Sequence, residues 1–419
     1  MSRKNKVLIH SIAFAPDGVS TAYIYNDIAK ILQLKGLEVT VLTTTPHYNP
    51  PNDDQLSLTK KWFGLWYTSN FDEIKVIHLN QKKYKSTILR LASFIYWHLS
   101  SIVFGLLLPR QDLIIAPSPP LTIGLVTLII GKLKGSKVIY NVQEIYPDFI
   151  INQGAINNVL ILRFLKYLEK LIYNHSDAIT TIDNEFHQTI VGRFKEKEKL
   201  YIIPNFVDID LYHPTGIKEK KLESDLFKDN GNLKLMYAGN IGIAQDWELL
   251  INLAIKCSHL PVDFYVVGDG AFKCILQQKI ESNRLGNISL IPYQKRENMP
   301  SLINFADLHF IFMETSMASQ GFPSKVYTIM ACNKPLLISS VKNSPIISFL
   351  KGKDCAFLFS SVDRDRNLNE IYSRIRSILS DRNQLELIGA NGLQYVKSNY
   401  SKDVIGEKYF HLINDLIKV

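Results

Sequence analysis

The sequence has few cysteines and none of the residue spacings that metal sites or nucleophile triads require. Its four cysteines, Cys257, Cys274, Cys332 and Cys355, form no CxxC pair. The ten histidines are scattered without an HxxxH pair, and no GxSxG segment occurs. These absences argue against a zinc site, a disulfide framework and a hydrolase triad, and they predict a protein of a reducing cytoplasm.

A secretion signal and a nucleic-acid-binding motif are also missing. The start, MSRKNKVLIHSIAFAP, has a basic head, but its apolar run is short and no small-residue cleavage site follows. We therefore expect a buried first strand and no signal peptide. There is no aromatic RNA-binding motif, zinc finger or helix-turn-helix pattern, so no nucleic-acid partner is expected.

Positive charge is in excess, and it is unevenly distributed. The formal net charge is +9, and residues 1–200 hold 23 Lys and Arg against 16 Asp and Glu, whereas residues 201–419 hold 25 against 23. A basic first half favours contact with phosphate groups or with an anionic membrane surface.

Short β-branched runs alternate with longer helix-period segments, which predicts parallel sheets covered by helices on both faces. The chain of 419 residues is long enough for two domains. The alternation stops at the charged stretch Gly216–Asn232 and then restarts, so we predict an α/β protein with two doubly wound sheets and a linker near 206–232. The predicted strands are Val7–Ala13, Val39–Thr43, Lys75–Leu79, Leu113–Ala116, Lys137–Val142, Ala178–Ile182, Leu200–Ile203, Lys234–Ala238, Asp263–Val267, Ile288–Ile291, Leu308–Phe312 and Pro335–Ser339.

One apolar segment is long enough to span a bilayer. The basic run Lys82–Lys83–Tyr84–Lys85 leads into Ile88–Leu108, whose strongly polar members are Arg90 and His98. A crossing would place strands of one sheet on opposite sides of the membrane, so we reject it. Two compatible interpretations stay open, a helix lying in the membrane interface and a core helix between two strands. The aromatic residues of this segment are Phe94, Tyr96, Trp97 and Phe104.

Several loops that follow predicted strands could bind an anion. The loop Phe14–Ala22 joins a strand to a helix start and contains Gly18 and Ser20, although Asp17 or Ser20 could equally cap the helix. Gly239 and Gly242 follow the first strand of the second sheet, and their small size would let backbone amides approach a diphosphate.

The strongest local motif is Gln320–Thr328. Its Pro323, Ser324 and Lys325 stand at the start of a predicted helix, as an early proline, a cap and a cation. Lys325 is predicted to be a phosphate ligand, the alternative being a solvated surface lysine. In the first half, Glu144 and Asp148 follow a strand and are predicted to face an interdomain cleft, where they could bind sugar hydroxyls or accept a proton. Asp148 could instead cap the following turn.

Taken in order, these motifs resemble the family 4 retaining glycosyltransferases of GT-B architecture, and in particular the bacterial surface-polysaccharide branch with fucosamine and colanic acid enzymes. The resemblance covers nearly the whole chain. Its motifs here are APDGVSTA, SPPL, NVQEIYPD, IIPNFVD, YAGNIGIAQDWELL, VVGDG and PSKVYTIMACNKP.

The resemblance implies two facing Rossmann-like domains separated by a cleft. Residues 1–205 would bind the acceptor, residues 206–400 would bind the nucleotide sugar, and residues 401–419 would form a helix that crosses back to the first domain. The implied reaction moves a sugar, an N-acetylated or deoxy-amino hexose, from a UDP-sugar to a polyprenyl-diphosphate-linked acceptor in O-antigen, capsule or exopolysaccharide synthesis. The protein would act in the cytoplasm, peripherally at the inner face of the cell membrane, and no metal or separate cofactor is expected.

This sequence departs from the family pattern at the donor site. The Arg and Lys that usually clamp the diphosphate fall on Asn240 and Gln245, and the usual pair of glutamates falls on Gln320 and Thr328. The resemblance therefore leaves Lys325 to supply the positive charge.

By resemblance, the acceptor hydroxyl attacks on the face that the diphosphate leaves, and a phosphate oxygen takes its proton. Lys325, the amides around Gly239–Gly242 and Phe322–Lys325, and the Gly18–Ser20 loop across the cleft would stabilise the leaving group. Gln320 would lie beside the donor sugar and Glu144 would bind acceptor or sugar. The full donor-binding set implied is Gly18, Ser20, Gly239, Asn240, Gly242, Gly268, Tyr293, Gly321, Phe322, Pro323, Ser324 and Thr328.

Three alternatives stay open at this stage. A sugar-nucleotide epimerase of the same architecture would need more acids and histidines than Glu144 beside Gln143 provides. A non-catalytic scaffold of a polysaccharide assembly complex is favoured by the replaced cations and glutamates. A nicotinamide dehydrogenase would need a GxGxxG loop, which is absent.

Overall fold

The computed structural model describes residues 4–48, 58–81, 84–152, 156, 158–215, 227, 230–318 and 322–418. The chain divides into two compact units. The first unit is Met1–Asn205 with Asp403–Val419, and the second unit is Phe206–Lys402. Most of the charged stretch Gly216–Asn232, which is part of the linker predicted near 206–232, lies outside the described residues.

The first unit contains a nine-stranded sheet in the order β3-β4-β5-β2-β1-β6-β7-β8-β9. Neighbouring strands from β5 to β9 are parallel, and β1 pairs with β2 on one side and β6 on the other. The strands are β1 (Lys6–His10), β2 (Glu38–Thr44), β3 (Thr59–Lys61), β4 (Trp66–Phe71), β5 (Ile74–Leu79), β6 (Leu113–Ser118), β7 (Lys137–Val142), β8 (Ala178–Thr181) and β9 (Leu200–Ile202).

The purely parallel pattern predicted for this sheet is wrong at one edge. Strands β3 and β4 add an antiparallel extension, with Phe71 paired to Ile74 across a two-residue turn. The turn residues Asp72 and Glu73 both have positive φ, 47° and 66°. Two-residue turns with positive φ usually contain glycine, and this turn contains none. The sequence therefore carries no local signal for the hairpin.

Helices cover both faces of this sheet, as predicted. Consecutive residues of β7 point to opposite faces: Tyr140 lies against Gly124 on one face, and Asn141 bonds Tyr25 and Tyr409 on the other. The helices are α1 (Ser20–Leu34), α2 (Thr87–Leu107), α3 (Leu121–Lys134), α4 (Asp148–Asn152), α5 (Val159–His175), α6 (Asn184–Ile190) and, after the second unit, α14 (Lys402–Lys418).

Helix α2 is, among the described residues, the one helix long and apolar enough to cross a membrane. Its neighbours in sequence, β5 and β6, belong to one sheet, which agrees with the rejection of a crossing. It buries Trp97, Ser101 and Gly105, whereas only 17% of its apolar window is buried. Packing of one face is therefore confirmed, and lipid contact by the opposite face stays a prediction. We call that opposite side the exposed face of α2, formed by Ile88, Leu91, Ile95, Leu99, Val103 and Leu107.

The second unit contains a six-stranded parallel sheet in the order β12-β11-β10-β13-β14-β15. All five predicted strands are present, and β15 was not predicted because its run, Ala356–Phe359, is short and follows charged residues. The strands are β10 (Leu233–Ala238), β11 (Val262–Val267), β12 (Ile288–Ile291), β13 (Leu308–Phe312), β14 (Leu336–Ser339) and β15 (Ala356–Phe359). The helices are α7 (Trp247–Lys256), α8 (Lys273–Ser282), α9 (Met299–Phe305), α10 (Lys325–Ala331), α11 (Pro345–Leu350), α12 (Arg364–Ser380) and α13 (Asn383–Tyr400).

The points where the chain enters and leaves the second unit are joined to each other. Val207 pairs with Ser401 in a parallel bridge. The ammonium of Lys402 donates to Asp208 over 3.0 Å, which lowers the pKa of that partly buried carboxyl even though desolvation opposes the shift. The second unit is thus closed at its base by its own first and last residues.

Candidate functional site

The predicted donor-binding residues of the second unit lie at one edge of its sheet. All strands there are parallel, so the loops that follow them gather at their carboxyl ends. Gly239 follows β10, Gly268 follows β11 and Tyr293 follows β12. Residues 322–324 lie between β13 and α10, and residues 325–328 begin α10, whereas Gln320 and Gly321 lie outside the described residues.

Lys325 lies at this edge and has no acidic partner among the described residues. Its Nζ lies 3.7 Å from the centroid of the Tyr237 ring, in a cation–π contact. A Cβ on Gly239 would come within 2.5 Å of the same Nζ, so the ammonium rests directly on that glycine. Burial lowers the pKa of Lys325 to about 7, and desolvation is the one cause of the shift. The alternative of a solvated surface lysine is therefore wrong.

The loops at Gly239 and Gly268 form the surface on which the Lys325 side chain lies, which we call the glycine floor. Gly239 has φ +148° and Gly268 has φ +147°, values that residues with a Cβ rarely adopt. A Cβ on Gly268 would overlap the carbonyl oxygen of Gly239. Gly268 is required because its backbone touches that of Gly239, and Gly239 is favoured because the Lys325 ammonium fills the space that a Cβ would take.

Only some of the backbone amides between Gly239 and Gly242, at the glycine floor, are available to a ligand. The amide of Gly239 donates to Val267 O over 2.9 Å, and that of Ile241 donates to Asp269 O over 2.8 Å. These bonds contradict the expectation that the whole segment Gly239–Gly242 offers its amides to a diphosphate. Within the described chain, the amides of Asn240 and Gly242 make no hydrogen bond and stay available.

The start of α10 differs from its prediction. Ser324 precedes the helix in a helical conformation and makes no capping bond, so the predicted serine cap is wrong. The hydroxyl of Thr328 donates to Lys325 O over 2.8 Å, inside the helix. Phe322 packs on Phe349 with ring centroids 4.8 Å apart, which fixes the loop before Pro323. Packing of Phe322, and no cap, therefore positions Lys325.

The two residues that replace the usual clamping cations of the family, Asn240 and Gln245, lie in different surroundings. Asn240 is exposed. The amide of Gln245 donates to Met313 Sδ over 3.8 Å, while its carbonyl oxygen is buried and has no hydrogen-bond partner among the described atoms. Neither side chain supplies positive charge, whereas the ammonium of Lys325 lies directly against Gly239.

The first unit has a buried polar network that sequence reasoning missed. Asn141, at the end of β7, accepts from Tyr25 and from Gln143, and it donates to Thr180 over 2.6 Å and to Tyr409 over 3.1 Å. Burial raises the pKa of both tyrosines. The single local signal was a polar residue inside a β-branched strand; its partners come from α1, β8 and α14 and could not be identified from spacing.

Glu144 and Asp148 have separate roles. Glu144 is half-buried, and burial raises the pKa of its carboxyl; its backbone carbonyl accepts from Ser118 over 2.8 Å. Asp148 is ion-paired with Arg193, which also donates to the buried Glu169 over 2.8 Å. The interpretation of Asp148 as a second acid available to substrate is therefore wrong.

The loop after β1 is held by Asp17. Its carboxylate accepts from the amides of His47 and Tyr48, both over 3.1 Å. Helix α1 begins at Ser20 after Val19, without a side-chain cap, so capping by Asp17 or Ser20 is wrong. Gly18 is half-buried and Ser20 is exposed at the carboxyl edge of the first sheet.

Two doubly wound sheets, parallel apart from the edge hairpin of the first sheet, are the architecture of the GT-B class of glycosyltransferase folds. The structure is similar to the sucrose-phosphate synthase of Thermosynechococcus elongatus, with TM-score 0.72, 14% identity and coverage of 99% of this chain and 100% of that one. It is also similar to Anabaena Alr3699/HepE, with TM-score 0.70, 15% identity and coverage of 98% and 100%; that protein was solved with UDP and with UDP-glucose.

The sequence agrees with this class. Residues 218–395 match the family described as Glycosyl transferases group 1. The chain is 23% identical to an Escherichia coli protein named as the colanic acid biosynthesis glycosyl transferase WcaI, over 80% of this chain and 83% of that one. The family match lies within the second unit and, together with the fold, indicates that this protein is a glycosyltransferase.

Proposed function

We propose that this glycosyltransferase moves an N-acetylated or deoxy-amino hexose from a UDP-sugar to a polyprenyl-diphosphate-linked sugar acceptor, with retention of anomeric configuration, in O-antigen, capsule or exopolysaccharide synthesis. Support for the donor comes from the fold shared with a protein that binds UDP and UDP-glucose. Support for the pathway comes from the similarity to WcaI.

The observation that carries the proposal is the ammonium of Lys325, which has no acidic partner in the described part of the chain. A cation with a lowered pKa, lying on Gly239 and beside the available amides of Asn240 and Gly242, suits a ligand that brings two or more negative charges. A diphosphate supplies these charges. Its negative charge grows as the sugar leaves, so Lys325 stabilises the transition state more than the ground state.

The proposed mechanism needs no nucleophile from the protein. The acceptor hydroxyl attacks the anomeric carbon from the face that the diphosphate leaves, and a phosphate oxygen takes the hydroxyl proton. We assign Glu144 to binding a sugar hydroxyl, because a half-buried carboxyl with a raised pKa forms hydrogen bonds in either protonation state. Gln320 is assigned to the donor sugar, and Gly18, Ser20, Gly268, Tyr293 and the segment Gly321–Thr328 to donor binding, on the family resemblance.

Membrane contact through the exposed face of α2 belongs to the same proposal. A lipid-linked acceptor stays in the bilayer, so the enzyme must come to it. The exposed face of α2 supports a peripheral position at the inner face of the membrane, with the helix lying in the interface.

Release of UDP from candidate UDP-sugars tests the proposal, in the presence of a polyprenyl-diphosphate-sugar acceptor. Lys325→Ala is expected to reduce turnover at least about 100-fold, the size typical for loss of one transition-state charge contact. Lys334→Ala is the matched control: burial also lowers the pKa of Lys334, but it precedes β14 and so lies at the opposite edge of the sheet. Equal turnover in wild type and Lys325→Ala would remove the assigned role.

A further inference from the structure

Helix α5 of the first unit carries a second exposed apolar strip. Leu160 is 72% exposed, Phe164 is 61% exposed and Tyr167 is 64% exposed. Their spacing of four and three residues places them on one side of the helix. Large apolar side chains rarely line up in contact with water on a monomeric protein without a binding role.

Basic residues flank this strip. Arg163, Lys166 and Lys170 are exposed and follow one another at spacings of three and four residues, so they form a row beside the apolar strip. The one acidic residue of the helix, Glu169, is buried and ion-paired with Arg193. The outward surface of α5 therefore combines apolar residues with positive charge and no negative charge.

Helices α2 and α5 belong to one layer over the first sheet, on either side of α3. A Cβ on Gly105 of α2 would lie 2.5 Å from Ile130 of α3, and a Cβ on Gly124 of α3 would lie 2.8 Å from Ile172 of α5. Because all three helices pack on the same face of the sheet, the outward sides of α2 and α5 point in the same direction. The end of α3 between them adds the exposed Leu133, which has lysines on both sides.

We propose that α5 binds an anionic lipid bilayer together with α2, so that the layer of α2, α3 and α5 lies flat on the membrane. Apolar strips bordered by Lys and Arg are typical of helices that insert into the headgroup region of anionic membranes. A second copy of the chain is a weaker candidate occupant, because a twofold contact would bring two basic faces together. The proposal rests on the proposed function only in linking bilayer contact to sugar transfer.

Co-sedimentation with vesicles tests this contact. Wild type is compared on vesicles of phosphatidylcholine mixed with phosphatidylglycerol and on vesicles of phosphatidylcholine alone, with variants Phe164→Ser on α5, Leu99→Ser on α2 and the control Leu387→Ser on α13. Leu387 is 67% exposed in the second unit. Each helix variant is expected to weaken binding to the mixed vesicles about tenfold, from the lost burial of one large apolar side chain. The control should bind as wild type does.

Charge and oligomeric state complete the test. Lys166→Glu should weaken binding to mixed vesicles and leave the weak binding to neutral vesicles unchanged. Vesicle binding by Phe164→Ser or by Leu99→Ser that equals that of wild type would overturn the joint contact. The joint contact would also be overturned if wild type is a dimer and Phe164→Ser dissociates that dimer without changing vesicle binding. Sugar transfer to a soluble acceptor should be unchanged in Phe164→Ser. If wild type transfers no sugar at all, the proposed function is overturned, and the vesicle result alone decides whether α5 and α2 bind the membrane.

Discussion

Binding of UDP is expected to bring a proton from solvent onto Lys325. Since burial lowers the pKa of this side chain to about 7, close to half of the free protein carries a neutral amine at neutral pH. A diphosphate beside Nζ favours the ammonium form and raises the pKa. The affinity for UDP is therefore highest below pH 7 and falls as the pH rises above it.

The size of this effect follows from the two protonation states. If only the ammonium form binds, the apparent Kd rises about 50-fold between pH 7 and pH 9, which corresponds to about 2.3 kcal/mol. Solvent screening at this half-buried side chain reduces the effect, and we expect a rise of at least about tenfold. The phosphate groups of UDP contribute little in this range, because their last pKa is about 6.

Titration calorimetry in two buffers with different ionisation enthalpies measures the proton directly. Uptake should be about half a proton per UDP near pH 7 and should approach one near pH 8.5. Lys325→Arg is the informative variant, since a guanidinium stays charged throughout. It should bind UDP without buffer dependence. Identical binding enthalpies for wild type in both buffers at pH 8 would refute the placement of a titrating lysine at the diphosphate.

Three further predictions concern single residues. Gly268→Ala should destabilise the protein by about 3 kcal/mol or more and lower the melting temperature, because its Cβ would overlap a neighbouring carbonyl at φ +147°, while Gly286→Ala, which meets nothing within 4 Å, should change little. Tyr409→Phe leaves the buried amide of Asn141 without one partner and should cost about 1–2 kcal/mol in urea unfolding; an unchanged midpoint would contradict the network. Glu144→Gln should slow sugar transfer while UDP affinity in calorimetry stays the same; weaker UDP binding would move this residue to the donor side.

Most of the fold could be predicted because each central strand is a compact β-branched run. Strands such as Lys137–Val142 and Ile288–Ile291 have the predicted boundaries. The edge hairpin of β3 and β4 could not be predicted, since β4 has no fully buried residue and its turn at Asp72–Glu73 contains no glycine. Prediction from local sequence pattern fails for a strand that has neither a buried face nor a typical turn residue beside it.

The candidate site was predicted less completely. The motif around Lys325 placed that lysine beside the glycines that follow β10, but the Tyr237 ring under its ammonium was not expected. The cap predicted at Ser324 was wrong, and so was the alternative of a cap at Asp17 or Ser20. A capping residue is recognised by its backbone conformation, whereas a sequence pattern records only its identity. Side-chain contacts between distant elements follow from the fold and cannot be obtained from local spacing.

The arrangement of the two units along the chain has a consequence for biosynthesis. The second unit is an uninterrupted stretch, Phe206–Lys402, inserted between β9 and α14 of the first. On the ribosome it is complete before α14 has been made, whereas the first unit still lacks the tyrosine that reaches Asn141 across 268 residues of sequence. A contact of that separation forms slowly. The first unit can therefore complete its core only after the whole of the second unit has been translated.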